Sequence, residues 1–131
     1  MPFTDSLRAA LTSNSCIHEW WAPLLGAGAH FALDTSRFYV ICVNYVGSVY
    51  GSSGPMSVDA GTGRPVLSAF PIASMRDNVR AQRALLNRLG VRHVAAAVGG
   101  SLGGMLALEW AATFPGYVSR VVVIAACAAH P

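Results

Sequence analysis

A chain of 131 residues, 53% hydrophobic and only 11% charged, has the length for one domain and one core, and carries less charge than an average soluble domain. Its net charge of +3 is modest, and its longest uninterrupted apolar run, Val121 to Ala129, is too short to span a bilayer, so no membrane segment is expected. Cys16, Cys42 and Cys127 are odd in number and lack C-x-x-C spacing, which argues against a disulfide framework and against a zinc site and leaves reduced, mostly buried thiols as the expectation.

In chain order, the first residues, Met1 to Arg8, include an early acid and no basic stretch followed by an apolar one. They do not read as a secretory signal, so a cytoplasmic setting is expected. Trp20 and Trp21 fall in an amphipathic segment and read as packing residues. Phe38 to Val43 is continuously apolar, the pattern of a strand covered on both faces, and is the first of three such strands. From Asn44 to about Ala73 the chain is rich in Gly, Ser and Pro, long for a connection unless it shapes a site. Within it, Tyr50 to Pro55 either lines that site or only turns the chain.

Ser74 offers an N-cap with Asp77 three residues on, and Met75 to Leu89 reads as a helix whose apolar face is Met75, Val79, Leu85, Leu86 and Leu89, ended by Gly90. Arg76, Arg80, Arg83, Arg88 and Arg92 lie on that helix and its exit without interleaved aromatics. They read as a solvated face rather than a nucleic-acid patch. A strand at Val94 to Val98, a helix running to Phe114 before Pro115-Gly116, and a strand at Val121 to Ala126 complete a β-α-β-α-β succession. That order implies an α/β fold with parallel strands and crossover helices.

Between the second strand and the second helix stands Gly99-Gly100-Ser101-Leu102-Gly103, a G-x-S-x-G on a strand-to-helix turn. A serine on such a turn takes a strained backbone, and side chains at positions 99 and 103 would collide with the neighbouring strand and helix. The helix that follows points unbonded N–H groups at the reacting centre, where negative charge develops. Ser101 is the candidate nucleophile.

Leu11-Thr12, Trp20-Trp21, Leu33 to Asn44, Tyr50-Gly51-Ser52-Ser53-Gly54-Pro55, Gly61-Thr62-Gly63-Arg64-Pro65, Met75-Arg76-Asp77 and Gly99-Gly100-Ser101-Leu102-Gly103-Gly104-Met105-Leu106-Ala107-Leu108-Glu109-Trp110, taken together, resemble the homoserine O-acetyltransferase family. The resemblance implies a partial α/β-hydrolase fold with a nucleophile elbow, spanning residues 1–131 as a single, incomplete domain. It implies acetyl transfer from acetyl-CoA, as cosubstrate, to L-homoserine through an acyl-enzyme on Ser101, on the route to methionine. Relatives within the family use L-serine or a succinyl donor. The oxyanion donors it implies are the N–H of Leu102 and that of Leu11, in a loop where this chain carries Ala9 and Ser13 in place of the family's His and Gly.

The resemblance also implies an acid and then a histidine after the nucleophile. After Ser101 the chain has one acid, Glu109, and one histidine, His130, and neither matches the triad; His18, His30 and His93 precede the serine. The chain alone is therefore expected to be inactive, a truncated or degenerate member. Two other readings stand beside it: a non-catalytic interaction protein docking on a full-length homologue, and a simple serine esterase. Unpaired sheet edges would invite association with a second copy or with such a homologue.

Overall fold

The computed structural model of the chain describes residues 7–11 and 16–129. In chain order it contains β1 (Leu7–Leu11), α1 (Ile17–Trp20), a 3-10 turn over Ala22–Leu24, β2 (Leu25–Gly26), β3 (Leu33–Asp34), β4 (Tyr39–Ile41), a second 3-10 turn over Leu67–Ala69, α2 (Met75–Arg88), β5 (Val94–Gly100), α3 (Leu102–Thr113) and β6 (Val121–Ile124). The main sheet runs β4-β1-β5-β6, all parallel, and β2 pairs with β3 as a separate parallel ribbon.

Three strands were expected in the main sheet and four are present. The additional strand, β1, lies at its centre, with Leu7 opposite both Tyr39 of β4 and Val94 of β5. Leu-Arg-Ala-Ala-Leu is short, interrupted by an arginine and built from residues of low strand propensity. Its two partners make it a strand, and both are remote in sequence. The expected strand over Phe38–Val43 contracts to Tyr39–Ile41, and the one over Val121–Ala126 to Val121–Ile124, because Ala125 takes φ +48 and turns the chain out of the sheet.

Helix α2 is set by local chemistry. Ser74 Oγ accepts from the Asp77 N–H at 3.1 Å while Asp77 Oδ2 accepts from the Ser74 N–H at 3.0 Å, a complete reciprocal cap. Its buried face differs from the expected one. Val79 and Leu86 are buried and Met75 partly so, but Leu85 and Leu89 are exposed, and Asn78 and Gln82 are buried in their place. Both polar side chains find partners. Asn78 Oδ1 accepts from the Val46 N–H at 2.8 Å, fastening the start of the long loop, and Gln82 Oε1 accepts from Trp110 Nε1 at 2.8 Å, fastening α2 to α3.

The core has two layers, one on each face of β5. Val79, Leu86, Val94, Ala97, Leu106, Ala107, Trp110 and Tyr117 pack between the sheet and the two helices. Trp21, Leu33, Ala96 and Val98 pack on the opposite face, with Ile17 and Leu25 against them. Trp21 is thus the packing residue expected. The side chain of Trp20 lies outside the described residues. Val94 and Ala97 share a face although three residues apart because the β1/β5 register shifts at Leu7/Arg8, inserting one extra residue into β5.

Arg83 lies 3.3 Å over the ring of Tyr117, which stacks on Trp110, and Arg76 pairs with Glu109, so two of the five arginines read as a solvated face hold the α2–α3 layer together. Cys16 and Cys42 are half-buried and Cys127 is exposed, so the expectation of mostly buried thiols is not met. Among the described residues no helix is long and apolar enough to cross a membrane.

Candidate active site

The C-terminal ends of β1, β4 and β5 lie side by side, the edge of a parallel sheet where the loops leave room for a ligand. Ser101 stands there, between the end of β5 and the first residue of α3, at φ +52 and ψ −121. This is a costly conformation for a residue with a Cβ, of the kind held only where the surroundings enforce it. They do so by hydrogen bonds. The Ser101 N–H donates to Ile124 O at 2.9 Å, while Ser101 O accepts from the N–H groups of Gly104 at 2.9 Å and Met105 at 3.2 Å. The side chain does not cap the helix and Ser101 is exposed, so its hydroxyl faces the open end of the sheet rather than the core.

Gly99 is required by close approach. A Cβ there would lie 2.1 Å from Gly103 O and 2.2 Å from Gly103 C, so the turn can bring the helix against the strand only without a side chain at 99. The second tight position is Gly104. A Cβ on it would sit 2.6 Å from Ala126 Cβ and 3.1 Å from Val123 Cγ1, which lets α3 pack down on β6.

Of the two predicted oxyanion donors, Leu102 lies on this turn and Leu11 on the neighbouring strand. Leu102 opens α3, so its N–H has no intrahelical acceptor. Leu11 ends β1 directly opposite Gly99, which brings its backbone beside the elbow. Thr12 and Ser13 lie outside the described residues.

Two open clefts flank the serine. One, of about 260 Å³, is bounded by Tyr45, Gly100, Ser101, Leu102 and Gly103. The other, of about 450 Å³, shares Tyr45 and Leu102 with the first and extends along the 44–73 loop to Ser48, Pro55, Phe70 and Ala73. Pro55 therefore lines a cleft whereas Tyr50 is half-exposed and does not, which divides the Tyr50–Pro55 stretch between its two readings. Sequence reasoning missed Tyr45. Its signal was positional, the first turn after a parallel strand. Burial, with Cys42 adding to it, pushes the Tyr45 hydroxyl up to about 12, so at neutral pH it is a neutral phenol able to donate a hydrogen bond.

None of the described histidines lines either cleft. His93 Nε2 is 2.6 Å from Ser119 Oγ at the opposite end of β5, eight residues and roughly 25 Å from the serine at strand rise. His130 lies outside the described residues. Glu109 is engaged elsewhere: Oε1 accepts from Thr113 Oγ1 at 2.6 Å and from Arg76 Nε at 2.7 Å, and the two bonds, Thr113 first, hold its carboxyl below the ordinary value of 4.5. Because the folded value is lowered, this contribution to stability is complete above the unfolded value and is lost as pH falls through the folded one. The urea midpoint is expected to fall between pH 5 and pH 3 with a slope that Glu109→Gln reduces; an unchanged slope in the variant would remove Glu109 as a source of that dependence.

Comparison with known proteins places this geometry. The family described as alpha/beta hydrolase fold matches residues 12–131. The chain is 47% identical over 108 residues to the homoserine O-acetyltransferase of Moorella thermoacetica, an alignment covering 82% of this chain and 28% of that protein. Among solved structures it is similar to esterase E22, with TM-score 0.84, 32% identity, and coverage of 94% of this chain and 38% of the other. It is also similar to a homoserine O-acetyltransferase from Bacillus anthracis, with TM-score 0.86, 25% identity, and coverage of 98% and 39%. The chain spans 25% to 32% of the length of the curated relatives it matches.

Proposed function

The chain belongs to the alpha/beta hydrolase fold family, and from that premise we propose that Ser101 is the nucleophile of an acyl transfer of the homoserine O-acetyltransferase kind. The donor is acetyl-CoA and the acceptor L-homoserine, in a cytoplasmic setting, and residues 1–131 make up one incomplete catalytic domain. The observation that carries the reading is the conformation of Ser101, held at φ +52 at the head of α3 with the backbone of Leu11 and the N–H of Leu102 beside it.

In this reading Ser101 Oγ attacks the thioester carbonyl, the N–H groups of Leu102 and Leu11 receive the oxyanion, and the CoA thiolate leaves with the bonding pair and takes up a proton. The amino-acid hydroxyl then displaces the serine from the acetyl group. Both steps need a base. None of the described histidines borders the serine, so the chain alone acylates slowly and does not sustain turnover; loss of the base from such a unit costs on the order of 10⁶ in turnover and leaves roughly 10³ to 10⁴ over water.

Intact-mass measurement after prolonged exposure to acetyl-CoA tests this. One acetyl group is expected on the parent chain and none on Ser101→Ala. A folded parent that gains no acetyl group rules out the nucleophile role, and sustained Ser101-dependent release of CoA in the presence of L-homoserine rules out inactivity of the chain alone. The similarity to esterase E22 favours a second reading, ester hydrolysis by the same acyl-enzyme. Multiple turnovers of p-nitrophenyl acetate with no amino acid present would select it.

A further inference from the structure

We infer that the larger cleft beside the elbow is an acyl-chain subsite that accepts neutral, unbranched acyl groups longer than acetyl and rejects acyl groups ending in a carboxylate. The inference rests on the acyl-enzyme reading of Ser101 and deepens it. The cleft begins at Leu102, whose backbone follows the nucleophile, and shares Leu102 and Tyr45 with the space around Ser101, so it adjoins the space that a group attached to Ser101 Oγ would enter first. Its volume of about 450 Å³ is that of a small-molecule site, ~300 to 1,000 Å³. The one methyl group of an acetyl chain leaves most of that space unused.

The lining decides the chemistry of the chain that fits. Val46, Pro55, Phe70, Pro71, Ala73 and Leu102 present apolar walls, and among the described residues no Arg or His lines either cleft. A methylene chain entering it removes apolar surface from water on both sides. A terminal carboxylate entering it would lose hydration and meet no cation in return. The polar side-chain groups of the lining are the Tyr45 phenol and Ser48 Oγ, the latter buried without a hydrogen-bond partner among the described residues, and each offers a neutral hydroxyl, not a charge.

Acylation by p-nitrophenyl esters that differ only in the acyl group tests this with the whole chain. The bond from Ser101 Oγ to the acyl carbon forms, the ester C–O bond breaks, p-nitrophenolate leaves with the bonding pair, and the serine proton passes to solvent. Rates are read as phenolate release and as adduct mass, with Ser101→Ala subtracted as background. Each buried methylene gives up to about fourfold, so hexanoate is expected to acylate roughly 10- to 100-fold faster than acetate. The monosuccinate ester is expected to be at least about tenfold slower than butyrate, because its carboxylate is desolvated without a partner.

Ala73→Phe, which narrows the cleft, is expected to lower the hexanoate-to-acetate rate ratio by roughly tenfold, the worth of one to two buried methylenes. The parent series stands without this variant should it fold poorly. Acetylation of Ser101 with no gain along the series, or monosuccinate matching butyrate, overturns the subsite and leaves the nucleophile in place. Failure of every ester to acylate overturns the nucleophile and the subsite with it.

Discussion

Ser101→Gly is expected to make the protein more stable and chemically inert at once. At φ +52 and ψ −121 the serine pays for a conformation that glycine adopts with little penalty. Such strain costs roughly 1 to 3 kcal/mol, against roughly 0.5 to 1 kcal/mol for the extra freedom of glycine in the unfolded chain, which leaves a net gain of about 1 kcal/mol. Ser101 is exposed, so little packing is lost. Ser101→Ala supplies the contrast, because it keeps the strained Cβ and removes the hydroxyl: stability near that of the parent, and no acetyl adduct. Urea unfolding of the three proteins checks the stabilities and intact mass checks the adducts. A glycine variant less stable than the alanine one would mean that the turn is not strained, and would take away the physical reason for setting this serine apart.

Gly99→Ala is expected to cost about 3 to 5 kcal/mol, the range of the most damaging single substitutions. Its Cβ would sit 2.1 Å from Gly103 O, 2.2 Å from Gly103 C and 2.7 Å from Gly104 N. These are backbone atoms of the first turn of α3, so relief requires moving the helix, and with it the contacts of Leu106, Ala107 and Trp110 in the core. The neighbouring Gly100→Ala is the control. The nearest atom to its Cβ is Ile124 O at 3.9 Å, an ordinary contact, so it is expected to cost less than about 1 kcal/mol. Equal losses from the two substitutions would show that close helix approach is not what position 99 requires. The same helix displacement would carry the Leu102 N–H away from the serine, so residual acylation in Gly99→Ala should fall by more than the folded fraction alone explains.

The elbow and the acyl-chain cleft depend on each other through Leu102. Its backbone belongs to the turn that positions the serine, while the residue walls both cavities. Tyr45 plays the equivalent part from the loop side, anchored at its neighbour by the bond from the Val46 N–H to the buried Asn78 of α2. The long loop thus holds its place through the first turn of a helix whose own start is fixed by Ser74 and Asp77. Sequence spacing alone foretold that cap and the helix end at Gly90, which takes φ +76.

By itself, then, the sequence determined whatever acts over a few residues: the reciprocal cap of α2, the course of α2 and α3, the apolar stretches that become β4, β5 and β6, and the glycine-serine turn on which Ser101 stands. Each is set by neighbours within about a helical turn, so spacing carries it. The tertiary structure alone decided the rest. Leu7–Leu11 becomes the central strand only because β4 and β5 flank it; Gln82 is buried and Leu85 exposed because Trp110 of α3 reaches for the former; Val122, Val123 and Ile124, read as a buried strand, are exposed because β6 is an edge; and Tyr45, Ala73 and Leu102, far apart in the chain, wall one cleft. These outcomes depend on which surfaces meet across long stretches of chain, and hydrophobic burial, being non-directional, leaves no local spacing from which to read them.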